Sequence, residues 1–417
     1  MNQKWIALLL ALILALSVCG CAADKPQTET AETTASVETQ TAAGQSTVTD
    51  EELTQTAQWL MEQIPQPTYG SVGGEWAVFG LARSGVAVPK EYFEVYGENV
   101  AAYTAEHGGV LHAKKYTEYS RVILAWTALG KDATDVGGFN LLVPLADFDQ
   151  TVFQGINGPI FALLALDSGA YDIPENTAGT TQATRDGYVD YILNAELPGG
   201  GWSFAGGDAE TDITAMALQA LAKYRDRQDV ADAVERGLTV LSQQQEENGG
   251  FVAYDSESSE SIAQVIVALT ELGVSLTDSR FVKGGNTLVS RLLEFRTENG
   301  AFRHIPDGEE DVMATEQGFY ALVAINRAEN GKNSLYRMGD VIKATTKPST
   351  TVKKGSADAS VSVPAVTAPG TTFSDVKNHA NKAAIEALAS RGIINGMGQG
   401  TFMPNKTMTR AEFAAIV

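Results

Sequence analysis

A short turn recurs about every fifty residues in the middle of this chain, and it constrains the fold more than any other feature. The turn joins glycine to an aromatic residue at Gly200–Trp202, Gly249–Phe251 and Gly300–Phe302, and the copies lie 49 and 51 residues apart. Each copy follows a charged helical stretch and precedes a second helical stretch that is rich in Ala and Leu. Such a period is typical of a repeated supersecondary unit that cannot bury its apolar face alone.

The second helical stretch occurs six times, because three weaker copies begin upstream at Glu75, Glu118 and Gly158. These stretches are apolar on most faces, so we expect them on the inside, with the charged first stretches outside. Six outer–inner hairpins that close into a ring predict an all-α fold, the six-hairpin α/α toroid or α6/α6 barrel. Glycine at each turn would let the chain reverse where a side chain would clash.

The repeats resemble the prenyltransferase and squalene-cyclase repeat family, whose glycine–aromatic turn is similar to GGW, GGF and GAF here. The resemblance covers about residues 50–335. It is closest to the cell-surface branch found in Firmicutes, which is similar in turn to cobalamin-carrier toroids that bind a ligand and catalyse nothing. The resemblance therefore implies a ligand-binding toroid with no cofactor, for which a corrinoid is one ligand to test.

Asp212 is the single catalytic candidate, and two interpretations of it stay open. Residues 210–215 resemble the acidic motif with which squalene-type cyclases protonate an alkene, but Ile213 stands where that family has a second Asp. Alternatively, Thr211 and Asp212 cap the following helix, since a side-chain oxygen there accepts from free backbone N–H groups and a carboxylate complements the helix N-terminus. The cap is favoured, so the toroid is expected to be non-catalytic, although polysaccharide cleavage also stays open.

Acidic residues recur near the start of the inner helices. Inner helices that run parallel would bring them to one mouth of the ring and form an acidic rim that accepts a ligand. For the tryptophans among the candidates, packing in the core or the turn is the alternative. The candidates for this mouth are Glu75, Trp76, Tyr119, Trp202, Asp212, Glu260 and Glu316.

Charge and cysteine content exclude other classes. The net charge is −21 and no basic patch is visible, which argues against nucleic acid as a partner. Cys19 and Cys21 are the only cysteines, and the four histidines lack metal-binding spacing. The sequence therefore predicts no metal site, and a zinc-dependent prenyltransferase lacks its cysteine ligand.

The amino terminus has the pattern of a bacterial lipoprotein. Residues 1–21 form the expected signal peptide, because the apolar run is too short to span a bilayer and ends in VCGC, which resembles a lipobox with Cys21 as the lipid attachment site. An ordinary secretory signal is the alternative. Residues 22–50 and 342–372 are polar linkers, the second rich in Pro, Ser and Thr. The toroid is expected between them, over 51–341.

Residues 373–417 resemble an S-layer homology motif. A short amphipathic helix, a glycine-rich loop and the sequence TRAE follow each other at the family's spacing. The resemblance implies binding of a secondary cell-wall polymer, with the TRAE arginine on an acidic sugar group. The family's His-Trp pair is His379–Ala380 here, and one copy is present where the family usually uses three. The implied binding residues are Thr409, Arg410, Glu412, Gly398 and Gly400.

Together these features predict a surface lipoprotein of a Gram-positive bacterium. It would be anchored to the membrane by lipid, associated with the cell wall, and would display a toroid that binds an unknown small molecule or a glycan. An enzyme that acts on an isoprenoid or a polysaccharide through Asp212 is the first alternative. A structural spacer is the second.

Overall fold

A computed structural model describes residues 44–253, 256–341, 365–379 and 381–406. The described residues up to 341 belong to one compact unit, and those from 365 onward belong to a second. No helix within these ranges is both long and apolar enough to cross a membrane.

The larger unit is a closed ring of helical hairpins. The outer helices are α1 Asp50–Gln63, α3 Lys90–Glu106, α5 Phe148–Thr151, α7 Arg185–Asn194, α9 Gln228–Gln244 and α11 Leu288–Glu294. The inner helices are α2 Trp76–Ser84, α4 Thr117–Ala128, α6 Asn157–Ser168, α8 Thr211–Leu221, α10 Ser259–Leu272 and α12 Val312–Glu329. Each inner helix packs against the next, and α12 packs against α2. The predicted six-hairpin α/α toroid is thus confirmed.

Two short antiparallel hairpins precede the last inner helices among the described residues. Strand β1 Val252–Ala253 pairs with β2 Ser256–Glu257 before α10. Strand β3 Phe302–Arg303 pairs with β4 Glu310–Asp311 before α12. The side chains of Ser258 and Asp311 then accept hydrogen bonds from backbone N–H groups in the first turns of α10 and α12. Hairpin and cap together fix where each of these inner helices begins.

The difference between the layers follows from their apolar pattern. In outer helix α9 the buried residues Val230, Val234, Leu238 and Leu241 recur at a spacing of three or four, so one face of the helix is buried. Inner helix α10 is buried on nearly every face because Ile, Val, Ala and Leu follow each other without a polar stripe. Each fully buried large aliphatic side chain contributes about 1.5–3 kcal/mol.

The recurring turn glycines lie where one hairpin meets the next outer helix. Gly300 has a positive φ of 97°, and a Cβ there would lie 2.8–2.9 Å from backbone atoms of Gln55 and Thr56 in α1. Gly200 likewise has a φ of 87° and faces Arg236 in α9 at 3.1 Å. Glycine is needed for both the left-handed backbone and the close approach. The turn at Gly300 therefore brings the last hairpin against the first and closes the ring.

The aromatic residue of each turn is buried inside the joint. Trp202, Phe251 and Phe302 have no exposed surface. The indole Nε1 of Trp202 donates to the carbonyl of Ile192 in α7 at 2.7 Å, and the ring lies against Gly237 of α9. One aromatic side chain thus joins two neighbouring outer helices, which explains why the pair of glycine and aromatic residue repeats.

The smaller unit contains helix α13, Lys382–Ala389. Its core is formed by Phe373, Val376, Ile385 and Ala389. Asp375 accepts backbone hydrogen bonds at 2.9 Å from Phe402 and 2.7 Å from Met403, which ties the start of the unit to the chain after its glycine-rich loop. This order matches the helix and loop expected from the sequence.

Candidate functional site

The ring brings five carboxylates to one end. The inner helices carry these groups at or near their first turns: Glu75, Glu118, Asp212, Glu260 and Glu316. The charge of Glu75 acts on Glu316, that of Glu118 acts on Glu75, and that of Glu260 acts on Asp212, so neighbouring helices begin close together. Most of them do not form an open rim. Glu75 and Glu316 have no exposed surface, and Glu260 is 6% exposed.

Glu75 belongs to a buried ion-pair network. Arg121 Nε lies 2.8 Å from Glu75 Oε2, and Arg121 also pairs with Glu118. The backbone N–H of Gly70 donates to the same Glu75 carboxylate at 3.2 Å. Burial raises the pKa of Glu75 to about 7 even though Arg121 lowers it. These contacts connect α2 to α4, so the role of the network is structural.

Glu316 is a buried carboxylate without a cationic partner among the contacts described. Its Oε1 accepts from the backbone N–H of Gly73 at 2.9 Å, while its Oε2 has no hydrogen-bond partner. Burial raises the pKa of Glu316 to about 8, and the charges of Glu75 and Asp311 raise it further. We therefore expect Glu316 to hold a proton at neutral pH.

Asp212 lies beside an accessible acid–base pair. His304 is about half exposed, and its Nδ1 lies 2.8 Å from Glu260 Oε2. The Glu260 carboxylate holds the pKa of His304 above its usual value. Burial raises the pKa of Asp212 to about 6, although a hydrogen bond with the side chain of Ser261 lowers it. The charges of Glu260 and Glu210 raise this pKa further. A carboxyl group whose pKa is raised by burial thus lies beside an imidazole whose pKa is raised by its carboxylate partner, and such perturbed groups are enriched in functional sites.

The structure corrects the interpretation of Asp212 as a helix cap. Glu210 occupies the N-cap position of α8 and makes no side-chain capping bond, while Asp212 lies inside the first turn. Although Asp212 is partly exposed as a residue, its Oδ1 is buried and has no hydrogen-bond partner. Its Oδ1 therefore accepts from none of the free N–H groups that a cap would satisfy.

Aromatic side chains occupy the interior of the ring. Trp76 is partly buried, and its ring centroid lies 6.0 Å from that of Phe161 and 5.9 Å from that of Tyr320. The hydroxyl of Tyr320 donates to Gln317 Oε1 at 3.0 Å and accepts from Gln264. Trp76, one of the residues predicted to line the mouth, thus lies between the inner helices α6 and α12.

Two other mouth candidates lie in the packed interior. Tyr119 is 3% exposed, and its hydroxyl accepts from the backbone N–H of Leu111 at 3.2 Å. Trp202 is buried in the joint between α7 and α9. Both side chains are satisfied by protein groups, so packing accounts for them.

Sequence reasoning missed His304, Ser261 and Gln264. The histidine lacks any spacing motif, because its partner Glu260 lies 44 residues earlier. Gln264 had a readable signal, since it is a polar residue inside an otherwise apolar inner helix. Gln264 is partly buried, and Gln219 in α8 and Gln317 in α12 supply hydrogen-bond partners for its amide.

The opposite end of the ring is covered by residues 333–341, which we call the closing segment. Arg83, at the end of α2, donates from Nε to the carbonyl of Leu335 at 3.0 Å. Glu271, at the end of α10, accepts from the backbone N–H of Tyr336 at 2.9 Å. The segment is thus held to two inner helices by buried charged groups.

A third inner helix also holds the closing segment. The backbone N–H of Met338 donates to the carbonyl of Ser168, the last residue of α6, at 3.2 Å. Tyr336 stacks on Phe79 with their centroids 5.4 Å apart, and Leu335 and Met338 are buried. Alternate inner helices are thereby bridged, and the carboxyl-terminal end of the ring is closed.

The remaining sequence candidates belong to the two chain ends. Gly398 and Gly400 lie in the glycine-rich loop with φ values of 96° and 72°, and Gly398 bridges to Thr401. A backbone of this kind favours glycine, whatever its role in binding. Cys21, Thr409, Arg410 and Glu412 lie outside the described residues.

Comparisons with known proteins identify the carboxyl-terminal segment. The family model of the S-layer homology domain matches residues 372–414. Over 48 residues the chain is 56% identical to endo-1,4-beta-xylanase A of Thermoanaerobacterium saccharolyticum, which is 12% of this chain and 4% of that protein. Over 46 residues it is 52% identical to an amylopullulanase of Thermoanaerobacterium thermosulfurigenes, or 11% and 2% of the two chains. The chain thus spans only a few per cent of these relatives.

Solved structures are similar to the chain over its larger part. The unsaturated glucuronyl hydrolase from Bacillus sp. GL1 is 14% identical with a TM-score of 0.45, and the match covers 70% of this chain and 98% of that one. The geranylgeranyltransferase-I of Candida albicans is 11% identical with a TM-score of 0.46, over 68% and 92%. Both likenesses are distant, and the ring of helices itself establishes the fold.

The chain thus combines an α/α toroid with an S-layer homology domain. Domains of this family bind secondary cell-wall polymers, so the match indicates a protein that is associated with the cell wall at the cell surface.

Proposed function

We propose that this chain is a cell-surface protein whose toroid binds a hydroxyl-rich ligand, such as a wall glycan, at the amino-terminal end of its ring without catalysing a reaction. The proposal includes a lipid on Cys21 that anchors the protein to the membrane. It also includes binding of a secondary cell-wall polymer by the S-layer homology domain. The polymer-binding residues would be Thr409, Arg410, Glu412, Gly398 and Gly400.

The unpartnered Oδ1 of Asp212 is the observation that carries the ligand site. A buried acceptor without a donor destabilises a fold by about 1–3 kcal/mol, and rotation of the partly exposed Asp212 side chain toward a ligand hydroxyl would remove that cost. The pair of Glu260 and His304 lies beside it and reaches solvent through the half-exposed imidazole. Carboxylates and imidazoles are suitable partners for the hydroxyl groups of a sugar.

Exposed apolar side chains also lie at the amino-terminal end of the ring, which supports a ligand site there. The segments that lead into five of the six inner helices each carry one, and Phe204 lies partly buried in the sixth. Apolar side chains around a polar cluster are typical of small-molecule sites. They would pack against the C–H faces of a sugar ring. We call these residues the apolar rim: Val72, Val110, Phe153, Val252 and Ile305.

Acid catalysis is the second candidate function. The pKa of Asp212 near 6 favours it, because a carboxylic acid that is partly protonated at neutral pH can donate a proton to a leaving group. His304 and Glu260 would then act as the neighbouring base. A spacer that binds nothing is the third possibility.

A ligand screen on the full chain separates these functions. Wall glycans, corrinoids and isoprenoid diphosphates would be tested for an increase in melting temperature and for conversion to product. We expect a wall glycan to stabilise the protein and to be recovered unchanged. Asp212→Asn should weaken binding, since it replaces a carboxylate oxygen, which accepts charge-assisted hydrogen bonds, by a neutral amide oxygen, whereas Asp208→Asn in the exposed preceding loop should not.

Each other outcome contradicts the proposal. Product that forms with the unaltered chain, but not with Asp212→Asn, would establish the enzyme. No binding of wall glycans, corrinoids or isoprenoid diphosphates would favour the spacer. Equal binding by both Asp212→Asn and the unaltered chain would move the site away from Asp212.

Binding to the wall has its own test. Arg410→Met should reduce sedimentation of the protein with purified cell walls by about tenfold, because the guanidinium would lose its bidentate contact with a polymer carboxylate. Arg391→Met is the matched control, since its side chain bonds to the carbonyl of Ala387 within the same unit. Equal sedimentation of the two variants would contradict the assigned role of Arg410.

A further inference from the structure

A cavity lies on the outer side of the ring, at the joint where the turn before Gly300 meets helix α1. Its volume is about 370 Å³. Small-molecule sites occupy about 300–1,000 Å³, so this cavity is large enough for a small ligand. One wall is formed by the second half of α1, and the other is formed by the turn and by strand β4.

Three carboxylates line this cavity. Glu62 belongs to α1, Glu298 to the turn and Glu310 to β4, and all three are exposed. Within the part of the chain that the structure describes, none of them forms an ion pair or a hydrogen bond, and none of the lining residues is Lys, Arg or His. Charges more than about 8 Å apart are largely screened at physiological ionic strength, so a small ligand would meet this local negative charge rather than the −21 of the whole chain.

The cation that contacts the cavity wall is already used elsewhere. Arg296 donates from Nη2 to Gln55 Oε1 at 2.8 Å and from Nε to Thr56 Oγ1 at 3.1 Å. Gln55 Nε2 donates in turn to Glu51 Oε1 at 2.9 Å. Both ends of the Gln55 amide are therefore occupied, and Arg296 forms no ion pair with the three carboxylates of the cavity.

Trp59 supplies an unused donor in the same cavity. The residue is 8% exposed and forms part of the wall. Its indole N–H donates to no group of the described residues, yet it is not sealed inside the protein. A buried tryptophan usually has a hydrogen-bond partner for this group, so the missing acceptor points to a ligand.

Amide groups add further donors. Asn299 Oδ1 accepts from Thr297 Oγ1 at 2.5 Å and from the backbone N–H of Ala301 at 3.3 Å, which leaves the Nδ2 of Asn299 without a described partner. Gln58 and Gln63 on α1 are exposed, and their amides are likewise unused among the described contacts. The cavity thus presents negative charge and N–H donors together, so a matching ligand carries both a positive charge and acceptor oxygens.

We propose that this cavity binds a cationic amino sugar. The ammonium group of the sugar, which has three donors and no acceptor, pairs with Glu62, Glu298 and Glu310. The hydroxyl and ring oxygens of the sugar accept from Trp59 Nε1 and Asn299 Nδ2, and a simple diamine has no such oxygens. The cavity does not include Asp212, so this site and the glycan site in the mouth of the ring do not depend on each other.

Calorimetric titration of the full chain with the disaccharide of glucosamine tests the proposal. We expect saturable binding, and at least about tenfold weaker binding of the N-acetylated disaccharide, which has no charge, and of 1,5-diaminopentane, which has no oxygen. Glu62→Gln should weaken the affinity about threefold, since an exposed charge pair contributes up to about 1 kcal/mol, and Glu62→Gln with Glu298→Gln should weaken it about tenfold. Glu106→Gln is the matched control, because it removes an exposed carboxylate at the end of another outer helix, α3.

The other results would overturn the proposal. No saturable binding of the disaccharide by the unaltered chain would do so, and so would equal affinity for its N-acetylated form. Equal affinity for diaminopentane would replace the amino sugar by a simple diamine as the ligand. Unchanged affinity in the double variant, or an equal loss in Glu106→Gln, would show that the carboxylates of the cavity do not hold the ligand.

Two more variants locate the site. Trp59→Phe keeps an aromatic ring but has no N–H, so we expect about threefold weaker binding of the disaccharide, with the melting temperature recorded alongside. Unchanged affinity in this variant would contradict the role of the indole. Asp212→Asn should bind the disaccharide as the unaltered chain does, and a loss of binding in Asp212→Asn alone would place the amino sugar in the mouth of the ring instead.

Discussion

Replacing Glu316 by Gln should change how the stability of the toroid depends on pH. The carboxyl group is fully buried with a pKa of about 8, compared with about 4.5 for the exposed group in the unfolded chain. Between these values the folded protein holds a proton that the unfolded chain has released. A rise in pH therefore lowers the free energy of unfolding, because the folded protein binds more protons than the unfolded chain over this interval.

The size of the effect follows from the two pKa values. Between pH 5.5 and 7.5 the loss of stability from this one group is about 2.5 kcal/mol, at about 1.4 kcal/mol per pKa unit. Glu316→Gln has no proton to release, and its side-chain oxygen can still accept from the N–H of Gly73. The variant should therefore lose about 2.5 kcal/mol less than the unaltered protein over this interval.

Urea titrations at several pH values measure the difference. Titrating groups that do not interact with Glu316 act equally in both proteins, so the difference reports on Glu316 and its interaction with Glu75 and Asp311. Glu310→Gln is the control, because it removes an exposed carboxylate from strand β4 just before α12. Parallel stability curves for Glu316→Gln and the unaltered protein would refute the reasoning, since they would mean that Glu316 is ionised in the folded state at neutral pH.

Two further substitutions test the joints of the ring. Gly300→Ala should destabilise the toroid by about 3 kcal/mol in urea titrations, because the new Cβ meets the backbone of α1 at a positive φ. Gly285→Ala has a similar φ of 85° but open space, so it should cost only about 1 kcal/mol; equal losses would show that contact with α1 is not the cause. Asp340→Asn should cost about 2 kcal/mol and speed proteolysis of the closing segment, since it leaves the buried guanidinium groups of Arg83 and Arg327 without their counterion. Unchanged proteolysis would contradict this role of Asp340.

The fold could be predicted from the sequence because its signal repeats. The glycine–aromatic turn and the alternation of charged and apolar helices encode one hairpin, and the number of copies gives the ring. The contact of the Gly300 turn with α1 could not be predicted, because the spacing of the turns does not show which helix the last turn meets. Likewise, the sequence gives no signal that residues 333–341 return across the inner helices, since Arg83 and Leu335 are 252 positions apart.

The candidate site was only partly predictable. Its carboxylates were found because they recur near the starts of the helices, but recurrence cannot distinguish a buried carboxylate from an accessible one. Asp212 is the second residue of α8 and Glu316 is the fifth residue of α12. Packing seals Glu316, while Asp212 lies beside His304. The histidine comes from the hairpin that follows α11, so its contact with Glu260 depends on the tertiary structure.

The contact between Gly300 and α1 also changes how this protein can tolerate the gain or loss of a repeat. An open solenoid grows by one unit at a time and covers its two ends with special capping repeats. In the ring each hairpin serves as the cap of its neighbour, so deletion of any one hairpin would uncover two apolar faces at once. We therefore expect sequence change in such proteins to enlarge the loops at either end of the ring while the number of hairpins stays at six.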